Sequence, residues 1–380
     1  MPKNIVIFSD GTGREGGKGH STNVYKVFNI VLDRSPQQIA FYDSGLGTGW
    51  RKFTGLAGGR GFGRNLREGY EFIFDNYQAG DRIFLFGFSR GAATVRSLSA
   101  FLHMFGILPK SRRDLIGEAY KIYKDGDADK RKRRAAEFVA RHRTMWTTVT
   151  FVGVWDTVAA LGLPIKGLDA VINWLPFWKH RFHNYELSRC VEHAYHALAI
   201  DDERKTYHPV LWDRLPDARE EDDARTVMQQ VWFAGMHSDI GGGYAEAALS
   251  DIALEWMVQR AVEHGLRIYH AEPATCRPDP NGVMHDARQG LHRLFPRKVR
   301  TWDKGYGPTV HESVTLRTAN RSNEDAPPYA PWILAQPDYE IEPWVHWDKW
   351  FVRPPELEAW LAPVDPRLSP AARRPNPTAT

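Results

Sequence analysis

The stretch that decides the fold reads Ile83-Phe84-Leu85-Phe86-Gly87-Phe88-Ser89-Arg90-Gly91-Ala92. It joins an apolar run, typical of a buried strand, to a Gly-x-Ser-x-Gly motif, and the predicted helix that follows begins at Ala92. Gly87 and Gly91 remove side chains that would collide as strand and helix close together. The serine hydroxyl would then stand exposed above the N-terminus of the helix, so the motif predicts that Ser89 is a nucleophile.

Strand and helix signals alternate on both sides of this motif, which is the pattern of a mostly parallel sheet covered by helices. Strands are predicted at residues 4–8, 38–42, 82–86, 149–155, 194–200 and 228–234. Helices are predicted at residues 65–77, 92–105 and 250–264, the last with Ser250 as its N-cap. We therefore expect the α/β class: an α/β-hydrolase-like, mostly parallel sheet flanked by helices, with helical and aromatic cap insertions.

Polar residues of chemical interest follow the carboxyl ends of these strands. They are Asp10, Asp43, Ser89, Asp156 and His237. In open α/β sheets, sites are assembled at that edge. The pattern predicts that these side chains gather at one edge of the sheet.

A serine nucleophile needs a base, and the base needs an acid that orients it. In α/β-hydrolases the chain order is Ser, then Asp or Glu, then His, and Ser89, Asp156 and His237 satisfy it. Among the 15 histidines we favour His237, because Gly241-Gly242-Gly243 follows it and lets the backbone fold tightly against the site.

Two other residues compete for these roles. His311, in Val310-His311-Glu312-Ser313, is the main alternative to His237 as the base. Asp239 either supports the site from behind or replaces Asp156 as the orienting acid.

An acyl-transfer site also needs donors for the oxyanion. One is expected to be the backbone N–H of Arg90, the residue after the nucleophile. The second should come from a loop after an earlier strand, and Asp10-Gly11-Thr12 is the natural candidate, because Gly11 permits close approach of the backbone. The plainer interpretation of that loop is a turn whose aspartate caps the next segment.

Composition narrows the function classes. The chain has 380 residues, and its 50 basic and 46 acidic residues nearly cancel, which argues against a dedicated nucleic-acid binder. Two cysteines permit neither a disulfide framework nor a zinc knuckle, so we expect reduced thiols. For the serine mechanism we expect no metal and no cofactor. Signal-peptide features and bilayer-length apolar runs are both missing, which predicts a soluble, cytoplasmic protein.

We expect a single α/β-hydrolase domain over residues 1–362, followed by a flexible Pro-rich tail at 363–380. Within the domain, a charged helical insertion at about 108–148 and an apolar one at 160–186 could form a cap or lid. A Trp-rich segment at 296–362 is expected to wrap the core.

Several segments together resemble the catalytic domain of the type VI secretion phospholipase effectors of the first class. They read IFSDGT at 7–12, GFSRGA at 87–92, VGVWDTV at 152–158, HALAID at 196–201, WFAGMHSDIGGGY at 232–244 and VHESV at 310–314. The resemblance implies an α/β-hydrolase fold, a triad at Ser89, Asp156 and His237, and activity on membrane lipids. An effector would contact a membrane surface and would be exported by a system that needs no signal peptide.

The sequence thus favours a serine hydrolase that cleaves carboxylic esters, with a lipid as the favoured ester. One alternative is a metal-dependent hydrolase that uses Asp10, Asp156, His237 and Asp239, residue types that suit a divalent ion. The other is a catalytically inactive binding protein that keeps the fold. The sequence leaves the oligomeric state open.

Overall fold

The computed structural model describes residues 2–11, 20–45, 56–158, 186–213, 226–268, 276–286, 288, 296–320 and 328–346. The apolar insertion expected at 160–186 therefore lies outside the described residues, apart from Glu186. The tail at 363–380 and the last part of the Trp-rich segment also lie outside them.

Within the described residues, nine strands form one sheet. They are β1 (Asn4–Ser9), β2 (Arg34–Ser35), β3 (Gln38–Asp43), β4 (Arg82–Phe88), β5 (Val149–Trp155), β6 (Val191–Ala199), β7 (Val227–Phe233), β8 (Thr309–His311) and β9 (Glu340–Glu342). The strand order is β2-β3-β1-β4-β5-β6-β7-β8-β9, and every neighbouring pair is parallel except β2 and β3. The expected mostly parallel α/β sheet is confirmed.

Helices cover both faces of the sheet. They are α1 (Asn23–Ile30), α2 (Leu56–Asn76), α3 (Arg90–Phe105), α4 (Leu115–Tyr123), α5 (Ala128–His142), α6 (His237–Gly241), α7 (Ala248–Glu263) and α8 (Glu312–Ala319). The predicted cap at Ser250 is wrong: α7 begins two residues earlier, and the Ser250 hydroxyl donates to the carbonyl oxygen of Ala247. In the described part of the chain, no helix has both the length and the apolar character of a membrane span.

Strand β1 shows why the central strands are apolar throughout. Ile5 and Ile7 enter the core beneath α2, α3, α4 and α5, whereas Val6 and Phe8 enter the core beneath α1 and α7. Alternate side chains of a strand point to opposite faces, so a sheet covered on both sides needs a continuous apolar run.

The charged insertion at 108–148 is not a cap over the predicted site, which corrects our expectation. Its helices α4 and α5 pack on α3, where the Phe138 ring lies edge-on to Phe105 with ring centroids 5.5 Å apart. Since α3 begins beside Ser89 and Phe105 is its last residue, this contact lies at the end of α3 remote from Ser89. The insertion therefore enlarges the core.

The Trp-rich segment extends the sheet as well as covering it. It supplies β8 and β9, and Trp302 and Trp332 pack edge-on against the buried Trp232 of β7. These strands have three residues each. Strands so short carry too little periodicity for the sequence to reveal them.

The turn between β4 and α3 is packed tightly against the end of β1. A Cβ atom on Gly91 would lie 2.0 Å from the carbonyl oxygen of Ser9, and one on Gly87 would lie 2.6 Å from the carbonyl oxygen of Gly91. Real side chains cannot approach backbone so closely. Both glycines are therefore required for α3 to start where it does.

We predict that Gly91→Ala lowers the free energy of unfolding by about 1–3 kcal/mol or more, since α3 must move to admit the methyl group. Gly117→Ala in α4 is the matched control, because a methyl there meets nothing within 4 Å. It should raise the free energy of unfolding by roughly 0.5–1 kcal/mol. Urea unfolding of both variants checks this, and a Gly91→Ala protein as stable as wild type would contradict the tight packing.

Candidate active site

Ser89 has a strained backbone at the end of β4. Its φ of 59° and ψ of −120° lie in a region that non-glycine residues rarely adopt, at a cost of about 1–3 kcal/mol. The Ser89 N–H donates to the carbonyl oxygen of Trp155 at 3.1 Å, which fixes the turn against β5. The side chain is thereby held at the carboxyl edge of the sheet.

Ser89, His237 and Asp156 form a continuous hydrogen-bonded chain. The Oγ of Ser89 lies 2.9 Å from Nε2 of His237, and Nδ1 of His237 lies 2.5 Å from Oδ2 of Asp156. All three residues are buried, with Ser89 8% exposed and Asp156 0% exposed. Each lies beyond the end of its strand, as the sequence pattern predicts.

The charge on Asp156 is stabilised by hydrogen bonds to both of its oxygens. Burial alone would raise the pKa of this carboxyl, but the Arg300 guanidinium and His237 outweigh burial and hold the pKa well below its usual range. Arg300 donates to Oδ1 at 2.6 Å and to Oδ2 at 2.9 Å, and the Ala199 N–H donates to Oδ1 at 3.1 Å. Asp156 is therefore a carboxylate.

This carboxylate decides which tautomer His237 adopts. An ionised carboxylate can only accept hydrogen bonds, so Nδ1 of His237 must carry the hydrogen that bridges to Asp156. In the neutral imidazole, Nε2 then has a lone pair that can accept the hydrogen bond of the Ser89 hydroxyl, 2.9 Å away. The arrangement can take a proton from Ser89.

Neighbouring aromatic rings hold His237 in place. The Phe88 ring lies against the imidazole with centroids 4.6 Å apart, and the Tyr207 ring meets it edge-on at 5.0 Å. Gly241 leaves the room that Phe88 occupies, because a Cβ there would lie 2.0 Å from the Phe88 ring. The backbone N–H of His237 donates to Asp202 Oδ2 at 3.3 Å.

Sequence reasoning missed Arg300, which is 1% exposed. Besides its two bonds to Asp156, it donates to three carbonyl oxygens, those of Ala199, Asp202 and Tyr207. It comes 144 positions after Asp156 in an irregular part of the Trp-rich segment, where a lone arginine gives no signal in a single sequence.

Asp202 was also missed, although its signal was available. It lies three residues after the end of β6, so the same strand-end rule that selected Asp156 would have selected it. Its carboxylate pairs with Arg204 at 2.6 Å and accepts from the backbone of His237. It supports the start of α6, where His237 lies.

The competing candidates have other partners. His311 bonds the Ser313 hydroxyl through Nδ1 at 2.9 Å, and its ring stacks on Phe233. Burial, followed by Arg260, lowers the pKa of His311 to about 3. Asp239 accepts from Nδ1 of His285 at 2.6 Å, so it orients a different histidine.

The turn at Asp10 and Gly11 is bonded to the start of α1 and to β3. Asp10 accepts from Thr22 Oγ at 2.5 Å and from the Tyr42 hydroxyl at 2.8 Å. Its other oxygen accepts from the Gly11 N–H at 2.6 Å, so Gly11 does not offer that N–H as an oxyanion donor here. This corrects our expectation for Gly11, and Thr12 lies outside the described residues.

Arg90 remains available for the oxyanion role. It is the first residue of α3, and the first N–H groups of a helix have no partner within the helix. Those groups also mark the positive end of the helix dipole, which favours a developing anion.

The four residues considered for a metal do not meet at one point, although Asp156 and His237 bond each other. Asp10 faces Thr22 and Tyr42, Asp239 faces His285, and Asp156 is bonded to a cation. Within the described ranges, no three His, Cys, Asp or Glu side chains are grouped as a metal site would require.

The α/β-hydrolase class is defined by this strand order together with three features of one sheet edge. They are the Gly-x-Ser-x-Gly turn after β4, and an acid and a histidine farther along the same edge. Residues 3–260 match the family described as T6SS, Phospholipase effector Tle1-like, catalytic domain. The chain belongs to this family.

Three individual proteins that resemble this chain are each 26% identical to it or less. An uncharacterized protein of Saccharomyces cerevisiae is 26% identical over 241 residues, which cover 56% of this chain and 33% of that protein. The chain thus spans a third of the length of this curated relative. A solved structure of an uncharacterized protein from Pseudomonas aeruginosa is 17% identical, covering 73% of this chain and 48% of its own, with a TM-score of 0.41. The Tle1 effector bound to the VgrG spike from the type 6 secretion system is 19% identical, with coverages of 64% and 52% and a TM-score of 0.35.

We predict that Asp156→Asn lowers the free energy of unfolding at pH 7 by about 3–5 kcal/mol, because the variant removes the carboxylate that Arg300 bonds while the guanidinium stays buried. Ser89→Ala is the control and should change stability by no more than about 1 kcal/mol. Denaturant unfolding of both variants measures the difference.

The same pair sets a pH dependence. The folded-state pKa of Asp156 is depressed, so its stabilisation is fully present above the unfolded value of about 3.9 and is lost as the pH falls below it. The stability gap between wild type and Asp156→Asn should shrink as the pH falls below about 4. A gap that stays unchanged from about pH 5 down to about pH 2 would contradict the assignment.

Proposed function

We propose that this protein hydrolyses carboxylic esters through an acyl-serine intermediate, with Ser89 as nucleophile, His237 as base and Asp156 as the acid that orients it. The observation that carries the proposal is the 2.9 Å contact between Ser89 Oγ and His237 Nε2, with the tautomer set by Asp156. A serine hydroxyl is a weak nucleophile unless a neighbouring base takes its proton.

In the first half-reaction, Ser89 Oγ attacks the ester carbonyl carbon while His237 Nε2 takes the hydroxyl proton. The carbonyl oxygen becomes an oxyanion, and the Arg90 N–H at the start of α3 is the donor best suited to bind it. His237 then gives its proton to the departing alcohol, which leaves the acyl group on Ser89.

In the second half-reaction, His237 takes a proton from a water molecule that attacks the acyl carbonyl carbon. The resulting tetrahedral intermediate collapses, Ser89 receives the proton back through His237, and the carboxylic acid leaves. Asp156 stays ionised throughout and stabilises the imidazolium in both halves.

The substrate we propose is a lipid ester. The support is membership of a family described as phospholipase effectors, whose match covers the Ser89, Asp156 and His237 segments together. Contact with a membrane surface and export without a signal peptide belong to the same proposal. The metal-dependent alternative has less support, because Asp10 and Asp239 bond partners other than Asp156 and His237.

The purified protein should release fatty acid from phospholipid vesicles and hydrolyse long-chain p-nitrophenyl esters. We predict that Ser89→Ala lowers kcat/KM at least about 10³-fold, since a triad without its nucleophile keeps only binding and oxyanion stabilisation. Ser99→Ala is the matched control: Ser99 is a buried serine of α3 whose hydroxyl donates to the carbonyl oxygen of Arg96. It should hydrolyse the ester at close to the wild-type rate.

Three outcomes decide between the serine mechanism, the metal-dependent hydrolase and the inactive binding protein. The serine mechanism is supported if Ser89→Ala loses activity, Ser99→Ala keeps it, and a chelator leaves the activity of wild type unchanged. Activity that survives in Ser89→Ala but disappears on chelation would instead support the metal-dependent hydrolase. A folded wild-type protein that cleaves none of these esters would support the inactive binding protein.

A further inference from the structure

We propose that Arg300 is a positioning residue of the hydrolytic site, which holds the Asp156 carboxylate in the orientation that faces His237. This rests on the proposed function, because it assigns Arg300 a role in the same reaction. Arg300 acts through Asp156 and does not touch the reacting atoms.

The geometry fixes the guanidinium completely. Arg300 has five N–H donors, and its five hydrogen bonds go to the two oxygens of Asp156 and to the carbonyl oxygens of Ala199, Asp202 and Tyr207. Ala199 ends β6, and Tyr207 ends a short 3-10 turn. The guanidinium therefore joins the end of β5 to the segment that follows β6.

Tyr207 links this network to the histidine. Its carbonyl oxygen accepts from Arg300, and its ring packs edge-on against His237. Asp202 also links Arg300 to His237, because its carbonyl oxygen accepts from Arg300 and its carboxylate accepts from the backbone N–H of His237. Arg300 thus holds both partners of the Asp156–His237 hydrogen bond.

A bidentate pair also fixes the rotation of the carboxylate. Two parallel N–H···O bonds from a planar guanidinium permit one orientation of the Asp156 carboxylate, whereas a single bond would leave it free to turn. In that orientation Oδ2 faces Nδ1 of His237. The position of the imidazole, and with it the approach of Nε2 to Ser89, follows from this pair.

The charge of Arg300 matters as much as its shape. Asp156 is 0% exposed, so water does not stabilise its negative charge. Burial raises the pKa of such a carboxyl, and the Arg300 cation overrides that effect. If Asp156 were protonated, it could donate a hydrogen bond to Nδ1, and His237 would lose the tautomer that accepts the Ser89 proton.

The other charged or titratable groups that face this pair do not replace Arg300. Burial first, and then nearby cations, lower the pKa of His196 to about 3 and that of His208 to about 4, so both are neutral above about pH 5. Asp202 is ionised and is paired with Arg204. In the described residues, Arg300 is the cation that bonds Asp156.

The test is the pH dependence of kcat/KM from pH 4.5 to 9 on a soluble p-nitrophenyl ester, for wild type and three variants. Arg300→Met removes both the positive charge and the bidentate hydrogen bonding of the guanidinium. Arg300→Lys keeps the charge but loses the bidentate hydrogen bonding. Arg96→Met is the control for loss of a buried arginine, because Arg96 bonds the carbonyl oxygen of Val210 and lies over the Trp212 ring, whereas Arg300 bonds Asp156.

We predict that Arg300→Met moves the acid limb of the profile upward by at least about one pH unit, since an opposite charge at this range lowers a carboxyl pKa by roughly 1–3 units. Its activity at pH 8 should fall by no more than about 10⁴-fold, the loss seen when a triad aspartate is replaced by asparagine. Arg300→Lys should keep the acid limb of wild type but lose at least about tenfold in kcat, with KM little changed, because orientation acts on the chemical step. Arg96→Met should leave the acid limb where it is in wild type.

Two results would overturn the proposal. One is an acid limb in a folded Arg300→Met protein that coincides with wild type. The other is a kcat of Arg300→Lys that equals the kcat of wild type. This second result also decides the question if Arg300→Met does not fold. Failure of the proposed function would look different, because wild type itself would then show no Ser89-dependent hydrolysis.

Discussion

The contact between the first turn of α3 and the end of β1 is the constraint on which the rest of this structure depends. At Gly91 the two backbones approach so closely that no side chain fits between them. That contact fixes where α3 starts, and the start of α3 imposes the left-handed backbone of Ser89. Because β1, β4 and β5 are paired in parallel, the same register brings Asp156 to the edge beside Ser89.

Electrostatics then determine what this edge can do. A buried carboxylate, a buried guanidinium and an imidazole lie in one hydrogen-bonded network, and each orients the next. Arg300 keeps Asp156 ionised, Asp156 sets the tautomer of His237, and His237 accepts from Ser89. The strained serine and the ion pair cost stability on their own, and the apolar cores on both faces of the sheet offset that cost.

Much of this could be predicted from the sequence, because strand ends and glycines leave local signals. The motif around Ser89, and the polar residues after β5 and β7, pointed to three side chains that the structure brings together. Arg300 could not be predicted, since its partners are distant in sequence and no local pattern requires it. Strands β8 and β9 could not be predicted either, because each forms by pairing with a neighbouring strand. The prediction of Ser250 as an N-cap was wrong because the N-cap of α7 is Ala247, which makes no side-chain hydrogen bond to the helix.

The most direct test of the central claim, that His237 and Asp156 activate Ser89, is the intact mass of the protein after exposure to a fluorophosphonate. The account predicts one adduct per chain in wild type, none in Ser89→Ala, and much slower labelling in His237→Gln. Labelling of Ser89→Ala at the wild-type rate would place the reactive group elsewhere. An unlabelled wild-type protein that still hydrolyses esters would contradict the serine mechanism outright.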